Sequence, residues 1–470
     1  MFLTVKQKIC AVLAFIILLS APISTSAFIP INAPSAILID QNTGNILFAH
    51  NEHTIMYPAG LTKMLTAIIA LEYLDPQQVI VVGPEIYNVP AGALRSGHQS
   101  GEHITVHNLL RGLMIQNGND SGVVLALQTV QAERNNNNVP FSSAMQIFSY
   151  MMNERAQSFG ARNTHFVNPN GLHHDDHITS AYDLALIARK FMSIPILADI
   201  AAEPEFIGNS LYGYLGDMSY FYDARTIDHH WTDTNQLLSG GTFHYVYAQG
   251  IRSGSTPQSG DALAASAYRR GVRLIAIVLD SQDPDRWQDA RMLFEYGFTS
   301  YLYHDIVEEG QLIETVVVAN AKLGGQSLLD VVAADGFNAL FSEGQLVRLT
   351  RSVIFDIDLI AHDEEHENEY DNTILIAPIM EGDILGRIVY TLDGNQLFET
   401  DLIATYTINE RSLDSDMDFY IALIMDNVFS LRAFPFWMGG LGLIVGVAGT
   451  YLAVAERRRS RRAWYTNGKR

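Results

Sequence analysis

The stretch Pro58-Ala59-Gly60-Leu61-Thr62-Lys63 opens the first strong helical segment of the chain. Behind it Leu61, Met64, Leu65, Ile68, Ile69 and Leu71 recur at helical spacing, which predicts a helix from Leu61 to Leu74. Ahead of it Ala36-Ile37-Leu38-Ile39-Asp40, a turn at Asn42-Thr43-Gly44 and Ile46-Leu47-Phe48 read as a β-hairpin. Further along, the apolar helix Val106 to Ile115 leads into Asn117-Gly118-Asn119-Asp120. Gly250-Ile251-Arg252-Ser253-Gly254 begins a strand-like segment, and the continuous apolar run from Arg273 to Leu279 predicts a buried strand. From Pro34 to about Tyr303, strand-like and helical runs alternate, which predicts an α+β domain.

The chain has 470 residues, 48% of them apolar and 17% charged, enough for a large core and unlike a disordered composition. Its 51 acidic and 30 basic residues give a net charge of −21, which argues against a nucleic-acid partner. The single cysteine, Cys10, excludes a disulfide scaffold and a multi-thiolate metal site.

Much of the basic charge lies at the ends. Lys6 and Lys8, the apolar run Ile9 to Leu19 and the small residues Ser24-Thr25-Ser26-Ala27 have the order of a secretory signal peptide, residues 1–27. Phe434 to Ala455 is an uncharged apolar stretch that matches the roughly 20 residues a transmembrane helix needs. Arg457, Arg458, Arg459, Arg461 and Arg462 follow it. This places the tail, 456–470, in the cytoplasm and everything before the span outside the cell membrane. Without the two leader lysines and the seven basic residues from Arg457 onward, the rest of the chain holds 21 basic against 51 acidic residues, a net of −30. Gly442 and Gly446 have the G-x-x-x-G spacing that can pack two such helices into a homodimer.

Around Ile306 the pattern changes to short alternating strands, such as Glu314 to Val318 and Thr373 to Ile376, which predicts a β-rich domain over 306–405. The acidic run from His362 to Asp371 reads as a solvated hairpin loop, and Asn135 to Asn138 as a surface loop. Residues 406–433 form a juxtamembrane stalk, in which the apolar segment Phe419 to Leu431 either lies along the membrane surface or packs on the protein.

Taken together, Gly60-Leu61-Thr62-Lys63, Asn117-Gly118-Asn119 and Arg252-Ser253-Gly254 resemble, in that order, the S-x-x-K, S-x-N and K-T-G motifs of the serine D-Ala-D-Ala carboxypeptidases, the low-molecular-weight penicillin-binding proteins. The framework resembles that family too, in Ala36 to His50, Thr164 to Leu172, Thr179 to Asp183 and Leu263 to Leu279. Ala377-Pro378-Ile379 with Gly382 and Gly386 is similar to its C-terminal β domain, so the resemblance runs from about residue 34 to 405. It implies a penicillin-binding/β-lactamase-like domain over 28–305, an antiparallel sheet flanked by helices, followed by the small all-β domain and the membrane helix.

Each motif departs from the family pattern in its chemistry. The resemblance puts the nucleophile at Gly60, which has no side chain, so Lys63 has no hydroxyl to activate. Thr62 is no substitute, being about 200° away around a helix. Asn117 stands where a serine would pass a proton to the leaving amine, and an amide does not relay protons. The resemblance leaves Asn119, Arg252, Ser253, Gly254 and Arg286 as substrate-binding residues. Arg252 replaces a lysine and is able to hold a carboxylate bidentately.

Two histidine clusters have metal-ligand chemistry: His173-His174-Asp175-Asp176-His177, and His229-His230 with Asp228 and Asp233. The first lies where the family has a histidine-bearing loop without metal, and the sequence predicts no cofactor and no metal. It predicts a membrane-anchored, exported family member that binds a peptidoglycan stem peptide or a cell-wall protein without acyl transfer. The alternatives are an active carboxypeptidase with an unrecognised nucleophile and a pure scaffold.

Overall fold

The run Leu274–Leu279 is apolar throughout because both of its faces are covered. In the computed structural model, which describes residues 29–212, 225–360, 374–429, 443 and 447–457, this run lies inside a five-stranded antiparallel sheet. The predicted leader, the acidic run 362–371, Gly442, Gly446 and the tail beyond Arg457 lie outside the described residues.

The chain divides into two units, one of residues 1–304 with 339–346, the other of 305–338 with 347–470. In the first unit the strands are β1 (Ser35–Asp40), β2 (Ile46–His50), β3 (Val79–Val81), β4 (Glu102–Thr105), β5 (Glu205–Tyr212), β6 (Arg225–Thr232), β7 (Ala248–Thr256), β8 (Gly260–Arg269) and β9 (Val272–Ser281). The helices are α1 (Lys63–Tyr73), α2 (Val106–Met114), α3 (Asn119–Arg134), α4 (Phe141–Ser158), α5 (Ala181–Met192), α6 (Pro195–Ala201) and α7 (Asp285–Ser300). The main sheet has the order β2-β1-β9-β8-β7, and a smaller one the order β3-β4-β5-β6.

Alternation along β9 explains the layering. Ile275, Ile277 and Leu279 point into a core with Leu65, Ile68, Leu109, Leu113 and Phe148. Leu274, Ala276 and Val278 point to the other face, against Trp287, Leu293 and Phe294 of α7. With period 2, two buried faces make every position apolar. β1 divides the same way, Ile37 and Ile39 to one side and Ala36 and Leu38 to the other. The helix expected from Leu61 forms from Lys63, preceded by a 3₁₀ turn at Ala59–Thr62, and all of its first eight residues are buried.

The second unit carries a six-stranded sheet. Its strands run, side by side, Leu349–Phe355, Ile384–Leu392, Asn395–Ala404, Leu328–Ala333, Leu312–Ala319 and Ile374–Ile376. Val316, Leu329, Val331, Ile388 and Leu402 fill its core, one residue in two along each strand. Helix α8 (Leu413–Phe429) follows. The ring of Phe419 packs against Gly324, while Met417, Tyr420, Ile421, Ile424 and Met425 are exposed. Among the described residues no helix is long and apolar enough to cross a membrane. Of the predicted span, only 443 and 447–455 are described, and they are helical.

Candidate functional site

Three elements meet at Gly60: the 3₁₀ turn Ala59–Thr62, the segment Asn117–Asn119 at the start of α3, and β7. β7 is the outer strand of the main sheet.

The turn is held in an unusual shape. Ala59 has φ +48°, a left-handed conformation that costs a non-glycine residue stability and persists only where its surroundings enforce it. Two contacts do so. The Thr62 hydroxyl donates to the Ala59 carbonyl at 3.0 Å. Gly171, with φ +77°, lies so close that a Cβ there would come within 1.7 Å of the same carbonyl oxygen. Only glycine lets the 168–171 loop approach in this way.

His177 fixes Thr62. The Val167 amide donates to His177 Nδ1 at 2.9 Å, so the neutral ring carries its proton on Nε2. That proton faces the Thr62 oxygen 2.8 Å away, and Thr62 passes its own to Ala59. Burial pulls the His177 pKa down to about 3, helped by His165, His174, His173 and Lys63 nearby, so the ring is neutral at pH 7. The imidazole therefore donates to Thr62 and cannot deprotonate it. Beyond helical phase, this leaves Thr62 without a base to activate its hydroxyl.

Lys63 is 2% exposed, and its Nζ donates to Asn119 Oδ1 at 3.0 Å and to the Asn170 carbonyl at 2.8 Å. Burial holds its pKa well below the ordinary lysine range. The Arg252 charge adds to this, and Asp120 opposes it. Asn119 is engaged at both ends of its amide: its Nδ2 donates to the Leu94 carbonyl at 2.9 Å while its Oδ1 takes the lysine. Asn117 adopts φ +60°, and its Oδ1 is buried without a donor.

Arg252 is fully buried. Its Nη1 donates to the Met114 carbonyl at the end of α2 and lies 3.8 Å from Asp233 Oδ1, while Nε and Nη2 have no acceptor. Burial raises Asp233 to about 6 although Arg252 pulls the other way. Ser253 shares a hydrogen bond of 2.8 Å with the Thr234 hydroxyl. Gly254 lies against the turn: a Cβ there would be 2.5 Å from the Gly60 nitrogen. Arg286 is committed elsewhere, its Nη1 bonding Asp261 Oδ1 at 2.7 Å and its guanidinium stacked over Trp287.

Lys63, Asn117, Asn119, Arg252, Ser253 and Gly254 are thus brought around Gly60, and Arg286 reaches them only through a 3.5 Å contact with the Gly254 carbonyl. A cavity of about 350 Å³ lined by Met56, Tyr57, Asp175, Gln258 and Ser259 includes none of these residues. Asn170, Asp120 and Asp233 are the contributors that sequence reading did not single out for this site. Asn170 stands within the quoted Asn168-Pro169-Asn170-Gly171 turn, where only its turn chemistry is visible. The histidine clusters separate: His173 and His174 are partly or fully exposed beside Asp175 and Asp176, His177 serves the turn, and His229 is buried elsewhere.

An antiparallel sheet buried on both faces, with the turn that opens a lysine-bearing helix packed against its edge strand β7, defines the penicillin-binding class of α+β folds. Residues 22–283 match the D-alanyl-D-alanine carboxypeptidase family, and residues 301–410 the C-terminal domain of penicillin-binding protein 5. The chain is 30% identical over 295 residues to the D-alanyl-D-alanine carboxypeptidase DacD of Escherichia coli, covering 61% of this chain and 68% of that protein. It is 26% identical over 378 residues to DacF of Bacillus subtilis, covering 79% and 85%. Its fold is similar to that of penicillin-binding protein 5 from Haemophilus influenzae, with a TM-score of 0.60 at 23% identity over 82% of this chain and 99% of the other. The chain belongs to the D-alanyl-D-alanine carboxypeptidase family.

Proposed function

We propose that this chain is an exported, membrane-tethered member of the family that has given up acyl transfer and acts by binding at the cell wall. The observation that carries the reading is Gly60, a residue without a side chain at the position next to which Lys63 is held. Thr62 is tied into the Ala59 turn and Ser253 to Thr234. Fluorescent penicillin labelling of the purified chain tests this directly, because a covalent adduct requires a nucleophile. Labelling, or release of D-Ala from a pentapeptide, would sink the reading and restore the active carboxypeptidase.

A stem peptide is the ligand that Arg252 favours. Two of its donors are buried without an acceptor, and a terminal carboxylate supplies a bidentate one. The close approach of Gly254 to Gly60 favours the other occupant, a cell-wall protein held by the outer surface of a closed scaffold. Calorimetry with an acyl-D-Ala-D-Ala peptide separates them: heat that disappears in Arg252→Ala supports the peptide, and no heat supports the scaffold.

Tethering rests on the 434–455 segment and the arginines after it, with the exposed apolar side of α8 preceding them. Truncation after residue 433 releases the chain into the extracytoplasmic soluble fraction; a truncated chain that stays with the membrane speaks against the tether.

A further inference from the structure

A second group of buried polar side chains lies on the small sheet. His98 precedes β4, Glu102 is the first residue of β4, and His229 is on β6, with side-chain exposures of 0%, 0% and 3%. Strand β5 pairs with both β4 and β6 and brings Ser210 between them. One oxygen, Glu102 Oε1, is 3.1 Å from His98 Nδ1, 2.9 Å from His229 Nε2 and 2.8 Å from the Ser210 hydroxyl. Ser210 Oγ is also 3.1 Å from His229 Nε2. The ligand atoms of the two histidines and the glutamate all lie within 4.8 Å of one another.

The two histidine–glutamate spacings, 3.1 and 2.9 Å, are hydrogen-bonding distances, a few tenths of an ångström tighter than those of a coordination sphere. A tetrahedral zinc ion with nitrogen and oxygen ligands at roughly 2.0–2.2 Å holds neighbouring donor atoms roughly 3.3–3.5 Å apart. A small outward shift of the three side chains opens the space for an ion between them. The outer partners are also in place. His98 Nε2 is 2.9 Å from the Ser121 hydroxyl, Ser121 is 2.8 Å from Ser96, and Glu102 Oε2 accepts the Gln99 amide at 2.9 Å. Such contacts fix a ligating ring or carboxylate in orientation. The ring of His229 rests against Trp231 at 4.6 Å, which shields the site from water.

We propose that His98, Glu102 and His229 bind one zinc ion, with the Ser210 hydroxyl or a water completing the sphere. The donor set, two imidazoles and a carboxylate, suits zinc rather than calcium or magnesium. Its role is structural, because no ligand is open to a substrate, whereas hydrolytic zinc needs an accessible position. Through Ser121 the ion braces the first turn of α3, the helix that begins at Asn119 and presents it to Lys63. The sequence-based expectation of no metal grouped His229 with His230, Asp228 and Asp233. The ligands that converge with it are His98 and Glu102, far away in sequence.

The test uses the full chain, stripped with EDTA and then given zinc alone. Elemental analysis is expected to find one zinc per chain, and the thermal midpoint to rise on loading. His229→Gln and Glu102→Gln are expected to lose both. Ser121→Ala, which touches no metal, is expected to weaken zinc affinity about 10–100-fold while folding normally. The exposed pair supplies the control, since His173→Ala with His174→Ala should leave one zinc bound. A wild-type chain that takes up no stoichiometric zinc at micromolar concentration overturns the proposal. So does zinc that departs with His173 and His174 and stays in His229→Gln.

Discussion

Gly254 and Gly60 lie back to back, with the strand β7 so near the 3₁₀ turn that a methyl group on Gly254 would stand 2.5 Å from the Gly60 amide nitrogen and 3.0 Å from its Cα. The two positions are not equivalent. A Cβ built on Gly60 meets only the Asn117 side-chain oxygen at 3.1 Å, and otherwise nothing closer than 3.5 Å.

Gly254→Ala therefore pushes backbone against backbone and is expected to destabilise the chain by about 1–3 kcal/mol, read from the urea midpoint. Gly60→Ser needs only a small movement of Asn117 and is expected to fold with a near-unchanged midpoint. It should still release no D-Ala from a pentapeptide, because Asn117 has no hydroxyl to pass the proton on. Robust turnover by this single variant would show that Asn117 does not block the relay.

Lys63 gives a pH signature. Burial sets its folded pKa below the unfolded value of about 10.4. Between the two, the unfolded chain binds a proton that the folded chain does not, so stability rises with pH through that window. The Lys63→Met variant lacks this slope. Urea midpoints of the wild type and of Lys63→Met that run parallel up to pH 10 would contradict the burial effect.

His177 gives the opposite end of the scale. Its folded pKa is about 3 against roughly 6.5 unfolded, so its contribution is complete above pH 6.5 and is lost as pH falls toward 3. At pH 4 the loss is on the order of 3 kcal/mol. Asp233, raised to about 6, works the other way, weakening the fold as pH rises from about 4 to 6. The difference between wild type and His177→Gln isolates the histidine, and that difference should shrink steadily from pH 7 to pH 4.

Arg252 and Asp233 are buried together, so removing one strands the other. Arg252→Ala is expected to cost on the order of 3 kcal/mol, with the Asp233 carboxyl rising above about 6. Adding Asp233→Asn should recover part of the loss. A double variant less stable than Arg252→Ala alone would mean that Asp233 is held by other groups.

The order of the three motifs, the hairpin of β1 and β2 and the buried strand β9 were legible because they are local patterns in the chain. The contact between Gly60 and Gly254 was not, since neither residue has a side chain whose chemistry would announce it. Arg252 carried its charge visibly, but burial against Met114 depends on how α2 ends beneath β7. The grouping of His98 and Glu102 with His229 is set by the pairing of β4, β5 and β6, a register that no spacing in the sequence records.

Lys63 joins α1, α3 and the 168–171 loop through two hydrogen bonds made inside the protein. Whatever part it takes in chemistry, this lysine is a rivet. A variant that lost it would be judged by the folding of three segments before any chemistry came into question. The persistence of a catalytic-looking lysine is therefore no gauge of catalytic power in this chain.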